Sequence, residues 1–148
     1  LLVGSSWTGH LSPWFLTFPS QGEYFSGVGD LFAALVLARF AEHAHELPEA
    51  ARTPLTDIPP TSKGECALPI SRAVMLAVAS LQHVLTRTRA TMEAEGARLG
   101  LDPFAPAHKA RVEDRVQIMR MRELKIIQSA PAILQPQVQY RPRWMPAS

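Results

Sequence analysis

The segment Ser26-Gly27-Val28-Gly29-Asp30 runs straight into a strongly hydrophobic stretch, and this junction constrains the fold more than any other feature of the chain. Two glycines around one residue allow a tight backbone turn, and Ala, Leu and Phe dominate the stretch from Leu31 onward. The pattern predicts a helix over residues 31–46 that is apolar nearly all round at its start. Such a helix must be buried against other elements, which favours a layered fold.

A second helix is indicated by apolar residues that recur at three- and four-residue steps. The stripe begins at Val74 and ends at Met92, on one face of a helix predicted over residues 70–95. Glycine is a poor helix former, so Gly96 and Gly100 are expected to end this helix. Two long helices with apolar faces need a further layer to pack against, and the rest of the chain must supply it from short strands.

Short strands are predicted where aromatic and β-branched residues cluster between turn signals. They cover residues 1–3, 14–18 and 124–128, with a loop over 6–13 and a charged, loosely helical segment over 111–121. Two strands, two long helices and a final strand are typical of part of an α/β layer fold. We therefore expect two long helices packed on a small, partial sheet.

Proline is concentrated in two regions of an otherwise ordinary globular composition. Of the 13 prolines, five fall between residues 48 and 69 and four fall after residue 130. This distribution predicts an exposed, Pro-rich loop over residues 47–69 and a flexible tail over residues 137–148. The remaining chain, within a total of 148 residues that are 47% hydrophobic, suffices for a single domain with a real core.

Charge and cysteine content limit the partners and the compartment. Fifteen basic and thirteen acidic side chains give a net charge of +2, which is too balanced to indicate nucleic-acid binding. The single cysteine, Cys66, cannot form an internal disulfide, which favours a reducing compartment such as the cytoplasm. The apolar runs fall far short of the ~20 residues of a membrane span. The chain opens without methionine in what reads as a strand, so we expect a piece of a longer protein.

The turn formed by Gly27, Val28, Gly29 and Asp30 is the one segment whose residues point to chemistry. Unpaired N–H groups at a helix N-terminus, together with the helix dipole, form an anion site. A carboxylate beside it suits phosphoryl transfer to an alcohol, because the amides stabilise the migrating phosphoryl group while Asp30 accepts the hydroxyl proton. On these four residues alone, a plain glycine turn with Asp30 capping the helix is the stronger interpretation.

The other chemistry-bearing residues do not predict a metal site. His43 and His45 are two residues apart and point in different directions on a helix, so they could join Cys66 only if the intervening loop folded back. His83 is expected at the edge of an apolar face. The basic residues between 111 and 125 alternate with acidic ones, which indicates a mixed-charge surface rather than a phosphate-binding patch.

The neighbourhood of the glycine turn, Ser26-Gly27-Val28-Gly29-Asp30-Leu31-Phe32-Ala33-Ala34, resembles the signature of the pyridoxal kinases of the ribokinase-like superfamily, and is most similar to the fungal members. Further ordered similarities cover residues 2–5 at a strand end, 80–88 in the second helix, and 123–136 near the C-terminus. The resemblance thus extends over nearly the whole chain. It implies the C-terminal part of a ribokinase-like three-layer α/β/α fold.

The resemblance also implies a reaction. These enzymes phosphorylate the 5′-hydroxymethyl group of pyridoxal, pyridoxine or pyridoxamine with ATP. By resemblance, Asp30 is the catalytic base next to the substrate, and Gly27, Val28 and Gly29 line the anion hole around the triphosphate. Many relatives have threonine where Val28 stands, which implies the loss of one hydroxyl contact. Residues 18–21 correspond to a region that contacts the nucleotide, although their sequence matches poorly.

The family's N-terminal half, with most of the sheet, the pyridoxal pocket and the residues that organise the metal, has no counterpart in these residues. The resemblance therefore implies that residues 1–148 are a C-terminal fragment, inactive alone and without metal ligands of its own. It implies ATP and Mg²⁺ as cofactors, vitamin B6 vitamers as substrates, a homodimer in the complete enzyme, and no nucleic-acid or membrane partner. Two alternatives remain open: a catalytically silent interaction or regulatory module, and another ribokinase-like sugar or nucleoside kinase.

Overall fold

The computed structural model describes residues 1–7, 11–22, 25–43, 64–66, 68–106 and 110–145. This part of the chain mixes strands and helices, as the sequence predicts. The elements, in order, are β1 (Leu2–Trp7), β2 (Leu11–Leu16), α1 (Val28–His43), α2 (Pro69–Leu99), α3 (Val112–Met121), a 3₁₀ turn (Ile127–Ser129), α4 (Ala130–Leu134) and β3 (Arg143–Trp144). The two predicted long helices are confirmed as α1 and α2.

The sheet is antiparallel, in the order β1-β2-β3. β1 and β2 form a hairpin in which Leu2 pairs with Leu16 and Trp7 pairs with Leu11, and β3 joins the other edge of β2 where Trp14 pairs with Trp144. Burial alternates along β2, so that Trp14 and Leu16 face the helices while their neighbours face outward. The sheet is therefore a small layer with one covered face.

One predicted loop and one predicted strand are wrong. The segment 6–13 was expected to be a loop, but its described ends extend the hairpin, because Ser6 pairs with Ser12 across the two strands. Residues 124–128 do not form a strand either. The N–H of Ser129 bonds to the carbonyls of Lys125 and Ile126, which closes a turn, and a proline in the first turn of α4 then favours helix.

The helices start and stop close to the predicted positions, with one instructive difference. α1 begins at Val28, three residues before the predicted start, and residues 44–46 lie outside the described part. α2 continues through Gly96 and ends at Gly100, whose φ of 67° is the left-handed conformation typical of a helix end. Gly96 is retained inside the helix because a Cβ there would lie 2.7 Å from the ring of Pro103.

The core consists of two clusters joined by α2. One cluster, around Leu81 and Met92, is closed by α1 and α3; the other, around Val74 and Val78, is closed by the sheet. Phe32 of α1 packs against both clusters. The long helix predicted from its apolar stripe is thus the element that contributes residues to both clusters.

Other predicted segments are only partly covered by the structure. Most of the expected loop over 47–69 lies outside the described residues, but residues 64–66 lie beside β3 and residue 69 already starts α2. Within the segment expected to be a flexible tail, residues 143–144 form β3. Of the described helices, none has the combination of length and apolar character needed to cross a membrane.

Candidate functional site

The start of α1 is built by Gly27, which adopts a φ of 82° that only glycine takes readily. The first hydrogen bond of the helix runs from the N–H of Leu31 to the carbonyl of Gly27 at 3.0 Å. The N–H groups of Val28, Gly29 and Asp30 therefore have no partner within the helix and point out from its N-terminus. A Cβ placed on Gly29 would meet no atom within 4 Å, so this end of α1 opens onto free space.

The turn is held in place from the side by the chain that follows α3. Ser26 forms a parallel bridge with Glu123, and the side chain of Leu124 lies 4.0 Å from the position of a Cβ on Gly27. Phe25, one residue further back, is buried in the cluster between α1 and α2. Contacts on two sides thus fix the approach to α1.

Asp30 lies in the first turn of α1, as the spacing predicts. It is the third helical residue rather than the residue that caps the helix, and the capping position belongs to Gly27, which has no side chain. In the described part of the chain the Asp30 carboxylate makes no hydrogen bond or ion pair, and its side chain is exposed. Asp30 therefore does not cap the helix, although the interpretation from these four residues alone expected it to. Its carboxylate lies in the same turn as the N–H groups that no helical hydrogen bond uses.

Pro19 and Gln21, from the segment 18–21 that the resemblance links to the nucleotide, line a groove of about 600 Å³. Gln21 donates a hydrogen bond to Gln82 of α2 at 3.0 Å across this groove. His83, placed by sequence at the edge of an apolar face, is exposed on the same groove. No Lys, Arg, Asp or Glu lines the groove, and glutamine is the most frequent residue type among those that do.

The remaining candidates do not come together as a site. Cys66 is buried, and this burial raises the pKa of its thiol although a hydrogen bond from Ser71 opposes the shift. The side chain of His43 and all of His45 lie outside the described residues. Among the residues that the structure does describe, no three His, Cys, Asp or Glu side chains are grouped as metal ligands would be.

Sequence reasoning missed one residue that bears on the site. Thr88 is fully buried in α2, and its hydroxyl accepts a hydrogen bond from the N–H of Lys125, next to the segment that supports Gly27. A polar residue on an otherwise apolar stripe was the available signal. Comparison with known proteins adds no further candidate: no model of a protein family matches the chain, and no curated protein matches it significantly.

Proposed function

We propose that this chain is the ATP-binding, base-bearing part of a cytoplasmic pyridoxal kinase with a ribokinase-like α/β/α fold. The observation that carries the proposal is Asp30, an exposed carboxylate in the first turn of α1 beside three N–H groups that no helical hydrogen bond uses. The base and the anion site thus both lie at the start of α1. The resemblance of this segment to pyridoxal kinases selects vitamin B6 vitamers as the substrates.

The proposed chemistry divides between the amides and the carboxylate. The N–H groups of Val28, Gly29 and Asp30 donate hydrogen bonds to the oxygens of the transferred phosphoryl group and stabilise its charge. As the 5′-hydroxyl oxygen bonds to phosphorus, the Asp30 carboxylate accepts the hydroxyl proton and ADP leaves with the electrons of the broken P–O bond. A weak base suffices, because a loose transition state gives up this proton late. No step is assigned to Mg²⁺.

The groove lined by Pro19 and Gln21 is a second observation that supports the proposal. Its volume of about 600 Å³ lies within the usual range of ligand pockets. Amide side chains such as Gln82 both donate and accept hydrogen bonds, so the glutamine-rich lining suits a heterocycle with donors and acceptors, such as the base of a nucleotide. We therefore assign the nucleoside end of ATP to this groove.

A titration of the ¹⁵N-labelled chain with sodium tripolyphosphate and with MgATP tests the anion site. We expect both ligands to shift the amide signals of Val28, Gly29 and Asp30, and MgATP alone to shift those around Gln82. Gly27→Ala should abolish the first set of shifts, because alanine disfavours a φ of 82°. Gly100→Ala is the matched control, because it places the same strain at a φ of 67° at the far end of α2.

Binding without shifts at the start of α1 would contradict the proposal. A second assay addresses catalysis: purified chain, ATP, Mg²⁺ and pyridoxal, followed by the formation of pyridoxal 5′-phosphate. We expect no measurable turnover from these 148 residues, because in-line transfer needs both substrates held and the resemblance implies that the pyridoxal pocket belongs to the family's N-terminal half. Turnover typical of kinases would show that the site is complete in this chain.

An interaction module is the second candidate, and one observation favours it. Large apolar side chains lie exposed on α1 and β1, with Leu37 70% and Val3 55% accessible. A catalytically silent protein that binds a partner through this surface would show unchanged amide signals with MgATP. The titration therefore separates the two functions.

A further inference from the structure

Helix α3 carries apolar side chains on two opposite faces. Ile118 and Met121 are buried in the cluster to which α1 and α2 also contribute. On the other face, three apolar residues are exposed: Val112 at 73%, Val116 at 57% and Met119 at 68%. They are spaced by four and three positions, so they form one continuous row, the α3 stripe. A surface helix needs one apolar face to pack on its own protein, and the α3 stripe is a second one.

The α3 stripe is separate from the strand at which the sequence begins. β1 and β3 pack on the cluster around Val74 and Val78, through Leu2 and Trp144, whereas α3 packs on the other cluster. The structure describes the chain from residue 110 to residue 145, so residues before and after α3 are in place. Within this described part, the exposure of the stripe is therefore a property of α3 and not of a sheet edge.

Arginines border the α3 stripe on both sides. In the heptad notation used for paired helices, Val116 occupies position a, and Val112 and Met119 occupy position d. Arg115 then occupies position g and Arg120 occupies position e, which are the positions that flank an a/d row. Both arginines are exposed. A helix that covered the stripe would meet their guanidinium groups on its two sides.

Neither arginine is neutralised by the described part of the chain. Four arginines on other segments form ion pairs with glutamates there, but none of these pairs includes Arg115 or Arg120. Arg115 instead donates a hydrogen bond from Nε to the carbonyl of Ala110. Glu113 occupies the earlier e position and borders only the first turn. The border of the stripe is therefore basic over most of its length.

This charge pattern opposes the pairing of α3 with a second α3. In two parallel copies, Arg115 of each helix would face Arg120 of the other, because residues at g and the following e are neighbours across the pair. In two antiparallel copies centred on Val116, the two Arg115 side chains would face each other. Like charges at these positions oppose association. The complementary surface is a helix whose apolar row is bordered by carboxylates.

We propose that the α3 stripe docks an acidic amphipathic helix of a partner protein. Leucine or isoleucine side chains of the partner cover the stripe, and glutamates or aspartates beside them pair with Arg115 and Arg120. Met119 has a flexible side chain that adapts to either apolar residue. The contact is short, so we expect a dissociation constant of about 1–100 µM. This surface is distinct from the candidate anion site and does not depend on the proposed function.

Two synthetic helical peptides of about three heptads test this docking. Both have leucine at a and d, but the acidic peptide has glutamate at e and g where the basic peptide has lysine. Like charges at e and g keep each peptide from pairing with itself. We expect the acidic peptide to shift the amide signals of residues 112–120 in the ¹⁵N-labelled chain. The basic peptide should leave them unchanged at about 1 mM.

Substitutions in the stripe test its apolar contact. Val116→Gln and Met119→Gln should each weaken binding of the acidic peptide at least about tenfold, because a buried apolar contact is lost. Ile127→Gln is the matched control, since Ile127 is also apolar and is 86% exposed on the 3₁₀ turn outside α3. It should leave the affinity unchanged. Circular dichroism confirms that each variant retains its helices, which is expected because all three side chains are exposed.

Charge reversal tests the choice of partner. Arg115→Glu combined with Arg120→Glu should make the chain bind the basic peptide and release the acidic one. Arg87→Glu combined with Arg98→Glu changes the net charge equally on α2 and should keep the preference for the acidic peptide. Absence of shifts in α3 at about 1 mM acidic peptide would overturn the proposal. Equal binding of both peptides would also overturn it, as would self-association of the chain through residues 112–120.

Discussion

The hydroxyl of Thr88, buried in the middle of α2, accepts a hydrogen bond from the backbone N–H of Lys125 at 3.0 Å and donates one to the carbonyl of Val84 at 2.7 Å. One oxygen thus ties the segment after α3 to the longest helix. That segment carries Glu123 and Leu124, which contact the turn at Ser26 and Gly27. Thr88 therefore positions the candidate anion site indirectly, through the segment that carries Glu123 and Leu124.

Thr88→Val should separate this hydrogen bond from the packing, because valine keeps the shape and loses the hydroxyl. We expect a loss of about 1–3 kcal/mol in the free energy of unfolding, since the N–H of Lys125 is left without its partner. The amide signals of Gly27 and Gly29 should shift as well. Thr88→Ser, which keeps the hydroxyl, should restore both. Urea denaturation and ¹⁵N spectra measure the effect, and unchanged glycine signals in Thr88→Val would show that the turn does not rely on this contact.

Gly4→Ala should be strongly destabilising. A Cβ on Gly4 would clash with the ring of Trp14, which is buried, so the indole or the strand must move. We expect a loss of about 1–3 kcal/mol or more, as for other overpacked cores, with a change in tryptophan fluorescence. Gly29→Ala is the control for stability: its Cβ meets nothing, and alanine favours helix, so unfolding should become slightly harder.

The proposed function implies a complete enzyme around this chain, and Asp30→Asn in that enzyme tests the proposed base. We expect kcat to fall by a factor of at least ~100 while the affinity for ATP changes little, because asparagine keeps the shape but cannot accept the hydroxyl proton. Steady-state kinetics with pyridoxal as the varied substrate measure kcat, and a titration with ATP measures its affinity. A rate near that of the unchanged enzyme would assign the proton to another residue.

Cys66 predicts a loss of stability at alkaline pH. Burial raises the pKa of its thiol above the ordinary value of 9.0, so the folded chain keeps a proton that the unfolded chain has lost. The free energy of unfolding is therefore unaffected by this thiol below pH 9.0. It falls as the pH rises from there towards the raised pKa, by at most about 1.4 kcal/mol per pH unit. Urea denaturation at increasing pH should show this slope, and Cys66→Ala should flatten it. An equal slope in the variant would assign the effect to other groups.

The helices were predictable because local sequence determines them. The three- and four-residue steps from Val74 to Met92 specify the buried face of α2, and the Gly27 turn specifies where α1 begins. The hairpin was harder, because serines such as Ser6 and Ser12 read as loop residues, and only their pairing across two strands makes them sheet. Burial of such residues depends on what the fold places opposite them.

Residues 124–128 show the opposite failure. Isoleucine favours strands, yet Ile127 is 86% exposed in a 3₁₀ turn, because the bonds of Ser129 and the proline that follows it close the chain on itself. At the candidate site, sequence located Asp30 and the glycines. It placed Thr88 on the buried stripe of α2 but could not assign its partner, since a contact between residues 37 positions apart leaves no local pattern.

The length of α2 has a consequence for how the protein loses its structure. Its 31 residues span about 46 Å, and both hydrophobic clusters are completed by side chains from this one helix. If one cluster unfolds, its apolar residues on α2 become exposed. The other cluster then loses part of the helix that supports it. Heating should therefore melt the sheet end and the α3 end together, as a single calorimetric transition. A proteolytic cut near the middle of α2 would leave neither product able to refold.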